Sequence, residues 1–219
     1  MSARTEFERR WSADGKVLVA PDMMLFVGPM LERAQEQYGP VVWEDGWALE
    51  GVVFYGDDPS VRPLPDMKRF AIVLPADGID DHDVALAFLA HELVHCTHVD
   101  GAGDAPMIEE GAAVRFSLIE AAALTPGFAA ILREHQTTAP GVEHYAEALI
   151  AVEQLLDLDP NAIRTLRTAD PDWNAITPER IRAVVPSASE ELASLLCEVR
   201  EMRPNHEHAA WLAEQETKT

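Results

Sequence analysis

The residues of this chain best suited to chemistry are His91, Glu92 and His95, in the run His91-Glu92-Leu93-Val94-His95. In an α-helix, positions four apart share a face, with Cβ atoms roughly 5–6 Å from one another. Two imidazoles at this spacing can therefore reach one cation together. Glu92 is turned by one residue's rotation from His91, which puts its carboxylate beside such an ion and not on it. There it can take a proton from water. Imidazole ligands suit zinc, which lowers the pKa of coordinated water to about 7. The pattern predicts metal-assisted attack of water on a carbonyl, with Glu92 as the general base that passes the proton to a leaving amine.

Residue frequencies give this five-residue pattern by accident about once in a hundred chains of this size. An accidental match can sit on any solvated face. Here Val84, Leu86, Phe88 and Leu89 precede the pattern, and Leu93 and Val94 lie between the histidines. That is the setting of a buried helix with one polar stripe. Burying two histidines and a glutamate without compensation costs several kcal/mol, about the scale a bound cation can offset.

The third ligand has several candidates. His98 is nearly in line with His91 but two turns on, about 10 Å along the axis, so it cannot share the ion while the helix stays regular. The metzincin arrangement fails too, because Gly101 stands where its third histidine would be. No cysteine precedes Cys96, so there is no upstream thiolate. The segment Met107-Ile108-Glu109-Glu110-Gly111-Ala112-Ala113 supplies two carboxylates, Glu109 and Glu110. Both also suit a first helical turn, where the dipole favours acids. Gly111 and Ala113 carry little or no side chain, which would let this helix press close to the His91 helix.

His91-Glu92-x-x-His95 followed by Glu110-Gly111-x-Ala113 resembles the gluzincin pattern, in which Glu-Gly-x-Ala follows the His-Glu-x-x-His helix. The resemblance spans about residues 68–124 and is specific for that clan, not for one family within it. It implies a zincin-like α+β fold: a small mixed sheet packed on the motif helix, then a mainly helical lobe. It implies a metallopeptidase with Zn²⁺ on His91, His95 and Glu110, acting on a peptide or protein substrate. It also implies that substrate lies along the strand before the motif helix, here Arg69 to Leu74, as the sheet edge. A Tyr or His near the metal commonly stabilises the oxyanion in this clan, and His144 and Tyr145 are the matching candidates. Tyr145 could equally pack with Leu149 and Val152 as a core aromatic. Two further readings stay open: a structural or vestigial metal in a binding or regulatory module, and hydrolysis of a small amide.

The elements that must position these residues read as follows. Met23 to Gln37 is a helix capped by Asp22 and ended by Gly39-Pro40. Val41–Trp43 and Trp47–Tyr55 read as strands, and Asp45-Gly46 between them is a hairpin signal. Arg69 to Leu74 is a further strand, stopped by Pro75. Asp80 or Asp81 caps the motif helix, expected from about His82 to Val99. Asp104 caps a helix from about Ala105 to Leu124, with Pro106 in its first turn. Beyond it the chain reads as helices at about 126–135, 142–157, 160–167, 178–184, 187–202 and 205–216. The 219 residues fit a single domain, with an α/β lobe over about 1–100 and a helical lobe over about 101–219.

Composition bounds the partners. Apolar residues make up 47% of the chain, enough for a sizeable core. A formal net charge of −21, from 38 acids and 17 bases, repels phosphate backbones and anionic headgroups. Neither nucleic acid nor membrane is expected as a partner, and the oligomeric state is not legible. The two cysteines, Cys96 and Cys197, do not read as a disulfide scaffold, and Cys96 is expected to pack. The first apolar run, Val17-Leu18-Val19-Ala20, stops at Pro21 and is too short for a signal peptide, so the cytoplasm is the expected compartment. His206 and His208 could bind metal opportunistically. The aspartates between Asp77 and Asp83 are explained by helix capping.

Overall fold

The computed structural model describes residues 18–20, 22–43, 46–56, 58–64, 68–99, 105–125, 127–139 and 141–200. The strands are β1 (Leu18–Val19), β2 (Val42–Trp43), β3 (Ala48–Phe54), β4 (Ser60–Leu64), β5 (Arg69–Leu74) and β6 (His98–Val99). The helices are α1 (Met24–Tyr38), α2 (His82–His95), α3 (Met107–Leu124), α4 (Phe128–Thr138), α5 (Glu143–Leu158), α6 (Ala162–Ala169), α7 (Pro178–Val184) and α8 (Glu190–Leu196). The architecture is α+β, with a small mixed sheet and a mainly helical second half. No helix among the described residues is long and apolar enough to cross a membrane.

The main sheet has the order β1-β3-β5-β4, with β3 and β5 parallel and the outer strands antiparallel to them. β5 reads Arg-Phe-Ala-Ile-Val-Leu, and its last five residues are all buried. A central strand covered on both faces needs such an unbroken apolar run. Phe70, Ile72 and Leu74 join Leu86, Leu89 and Leu93 of α2 in the main core, while Ala71 and Val73 pack on the other face with Val53. The expectation that Arg69 to Leu74 forms the sheet edge is therefore wrong. β4 takes that place, pairing with β5 from Arg69 to Val73. The sequence reading missed β4 because it contains Pro63, a residue that strands tolerate only at an edge.

The hairpin expected around Asp45-Gly46 does not form; Asp45 lies outside the described residues. Val42 and Trp43 pair in parallel with His98 and Val99 instead. Side chains decide this. The Trp43 indole donates from Nε1 to the Cys96 carbonyl at 2.6 Å and packs edge-on against Phe70. Val42 N–H reaches Thr97 O at 2.8 Å.

For the same reason α2 stops at His95 and not at Val99. Thr97 turns back on the helix, its hydroxyl donating to Val94 O at 2.7 Å, and the chain leaves as β6. At the other end Asp81 caps α2 by accepting from Val84 N–H, as expected. Asp22 provides no side-chain cap for α1, whose N-cap is Met23. Asp104 lies outside the described residues, and the N-cap of α3 is Pro106. The helices at 126–135, 142–157, 160–167 and 178–184 are all present within a few residues, whereas the one expected over 187–202 ends at Leu196. The helix expected at 205–216, with His206 and His208, lies outside the described residues. Cys96 is buried and unbridged, and Cys197 is also free.

Gly111 was expected to bring α3 against α2. It faces α5 instead. A Cβ there would stand 2.2 Å from Ala148 O and 2.6 Å from a Val152 methyl. Backbone cannot yield as a flexible side chain can, so only glycine allows this approach. Substituting Gly111→Ala is expected to destabilise the fold by about 3 kcal/mol through overpacking, read as a lower urea midpoint at unchanged m-value. An unchanged midpoint would contradict the close packing of α3 on α5.

Candidate metal centre

The centre is built on two adjacent helices, α2 and α3. His91 and His95 stand one turn apart on α2, and Glu109 and Glu110 open the first turn of α3. His91, Glu92, Glu109 and Glu110 are all under a tenth exposed, at 8, 3, 7 and 5% respectively. Three carboxylates and the His91 imidazole are thus almost without solvent, with His95 partly buried beside them.

Their geometry converges. His91 Nε2 and His95 Nε2 face each other at 3.2 Å. Glu110 places Oε2 at 3.5 Å from His91 Nε2 and Oε1 at 3.8 Å from His95 Nε2. One ligand atom from each of the three residues lies within 4.8 Å of the others. Ligand atoms held about 2.0–2.1 Å from one tetrahedral zinc stand roughly 3.3 Å apart. The two Nε2 atoms meet that spacing, and the Glu110 carboxylate stands just outside it, one oxygen nearer each histidine. Glu110 Oε2 is buried and makes no hydrogen bond, a state that costs free energy unless a cation takes up the lone pairs. The donor set of two imidazoles and a carboxylate fits zinc with a free coordination position.

Glu109 does something else. Its Oε1 accepts a hydrogen bond from His95 Nδ1 at 2.9 Å. A carboxylate on Nδ1 fixes the tautomer, so that Nε2 presents its lone pair to the centre. Sequence reasoning weighed Glu109 only as a competing ligand. The signal was there: consecutive helical residues diverge by about 100°, so one can reach Nε2 while the other reaches Nδ1.

The electrostatics favour positive charge. Burial disfavours a charged His95, but Glu110 and Glu109 outweigh it and hold its pKa at about 10. Burial also opposes ionisation of Glu110; His95 and His91 overcome it and lower its pKa. For Glu92 burial wins over the two histidines, so its pKa is raised, as suits a group that must accept a proton. Glu109 is likewise raised by burial, against its bond from His95.

The remaining candidates come from α5. The Tyr145 ring stands edge-on to His91, with centroids 5.7 Å apart, and His144 lies against Tyr145 at 4.0 Å. Tyr145 also packs with Val114, Leu118 and Leu149, so its core role and its place beside the centre coexist. Burial, and then the carboxylates of Glu110 and Glu92, push the phenol well above its usual pKa, which keeps it a donor. Burial lowers the pKa of His144, whose Nε2 is buried without a hydrogen bond.

If these residues form a zinc site, calorimetry on the metal-free protein should show one Zn²⁺ bound per chain. Replacing His91, His95 or Glu110 by Ala should abolish that binding, and Glu109→Gln should weaken it about 10- to 100-fold. Stoichiometric binding that survives His91→Ala and His95→Ala would contradict the assignment.

Compared with models of known protein families, with curated proteins and with solved structures, the chain matches none. The functional reading therefore rests on the residues of the centre themselves.

Proposed function

We propose that the chain is a zinc-dependent hydrolase, a gluzincin-like metallopeptidase with His91, His95 and Glu110 as metal ligands and Glu92 as general base. The observation that carries this reading is the convergence of Nε2, Nε2 and a glutamate oxygen around one point, with the buried Glu92 next to His91 in sequence. A purely structural metal site has no use for that extra carboxylate. Its burial costs free energy, and its pKa, raised by that burial, suits a group that accepts a proton.

When bound, zinc polarises a carbonyl oxygen and acidifies water. The Glu92 carboxylate accepts the proton of the attacking water and returns it to the amine nitrogen as the C–N bond breaks. The Tyr145 hydroxyl, held protonated, can donate to the oxyanion that develops on the carbonyl oxygen. His144 supports it from the next position on α5. Glu109 keeps His95 oriented throughout. A peptide substrate would lie along the outer edge of β4, the sheet edge nearest β5, and exposed Arg62 would be within its reach.

The deciding variant is Glu92→Gln. It should bind zinc as tightly as the wild type yet lose about 10²–10⁴ in kcat on a quenched-fluorescence peptide library. Equal turnover by the variant, or no turnover by zinc-loaded wild type on any peptide, would sink the peptidase reading. The second result would favour a metal-stabilised binding module.

A further inference from the structure

α3 carries the ligand Glu110, and α5 carries Tyr145 and His144, so the work of the centre depends on how these two helices are spaced. One edge of that pair is held by a segment that belongs to neither helix. After α8 the chain runs back past the start of α3 as Glu198-Val199-Arg200. Glu198 O accepts the Met107 N–H at 2.8 Å, and Val199 forms an antiparallel bridge with Pro106. The N-cap of α3 offers no side chain to that first turn, and the Glu198 carbonyl takes up its leading N–H. Arg200 then reaches across to α5. Its Nη1 donates to Glu147 Oε2 at 2.5 Å, while Nη2 holds Glu198 Oε2 at 2.9 Å. Glu147 is two residues beyond Tyr145 and three beyond His144 on the same helix. Next to Glu110 the packing of α3 on α5 is already fixed by the Gly111–Ala148 contact. Arg200 adds a second tie beside it, at Glu147, the residue before Ala148.

We infer that Glu198–Arg200 is a clasp between the ligand helix α3 and α5, and that Arg200 is a positioning residue which keeps Tyr145 against His91. The inference rests on the proposed metal centre, and it assigns to the segment after α8 a part in its geometry. An exposed ion pair contributes little to overall stability. Its consequence is local: the side chains it aligns sit over the centre, where a displacement of about 1 Å can cost up to 100-fold in rate.

The test uses the full chain loaded with Zn²⁺ and a charge swap: Arg200→Glu, Glu147→Arg, and the two together. His91 ring resonances in NMR report the Tyr145 ring that stands edge-on to them, and Tyr145→Ala supplies the end point without that ring. Each single reversal should move the His91 signals toward those of Tyr145→Ala, and the double swap should bring them back. On a cleavable peptide the single reversals should lower kcat about tenfold with KM changed less than twofold, and the swap should restore it. Zinc affinity should stay within about threefold in all of them, since no ligand is touched. His91 signals that remain at their wild-type positions in both single reversals would overturn the clasp, as would a double swap that recovers neither signal nor rate. Should the wild type cleave nothing, the hydrolase reading fails by itself and the His91 signals still decide the clasp.

Discussion

The structure depends on one electrostatic constraint. Glu92, Glu109 and Glu110 are buried together with His91, and with His95 partly buried beside them, between two packed helices. Removing a carboxylate from water costs several kcal/mol even after relaxation, and three in one space also repel each other. The arrangement is tolerable only if positive charge is concentrated among them. The raised pKa of His95 expresses that demand, and a divalent cation held, as proposed, by Nε2, Nε2 and Glu110 would meet it more fully than a proton can. On the proposed reading, metal binding would be coupled to folding through these same groups.

The rest of the fold serves this convergence. α2 is fixed at its start by Asp81 and at its end by Thr97 and by Trp43, whose indole caps the Cys96 carbonyl. Trp173 Nε1 reaches Thr97 Oγ1, and the buried Arg167 guanidinium stacks 4.2 Å over the Trp173 ring. That guanidinium also donates to the carbonyls of Tyr38, Pro40 and Pro171, joining α1 and α6 beneath the helix that carries the histidines. α3 is held from the other side, by α5 at Gly111 and by a bidentate pair between Arg33 of α1 and Glu120. The two helices that carry these side chains are thus each fixed by packing and by polar contacts, as pre-organised chemistry requires.

Much of this was legible in the residues. The i, i+4 histidines, the intervening glutamate and the following Glu-Glu-Gly segment are local patterns, and helical periodicity places them without knowledge of the fold. What was not legible depends on partners distant in sequence. The 42–43 strand looked like half of a hairpin because Asp45-Gly46 is a strong local turn signal. Its real partner, His98–Val99, is 56 residues away in register. β4 was hidden by Pro63, and once β4 is present β5 can no longer be an edge. Gly111 signalled close helix packing correctly, but nothing local said whether α2 or α5 would approach. Glu109 showed its chemistry only when His95 Nδ1 was found on it, and the return of residues 198–200 to the start of α3 has no sequence signature at all.

The most direct test of the account is anomalous scattering at the zinc edge from crystals of the zinc-loaded protein. It predicts a single strong peak bonded to His91 Nε2, His95 Nε2 and a Glu110 carboxylate oxygen, with Glu92 beside it and not coordinating. A peak elsewhere, or clear density for residues 91, 95 and 110 with no ion among them, would contradict it.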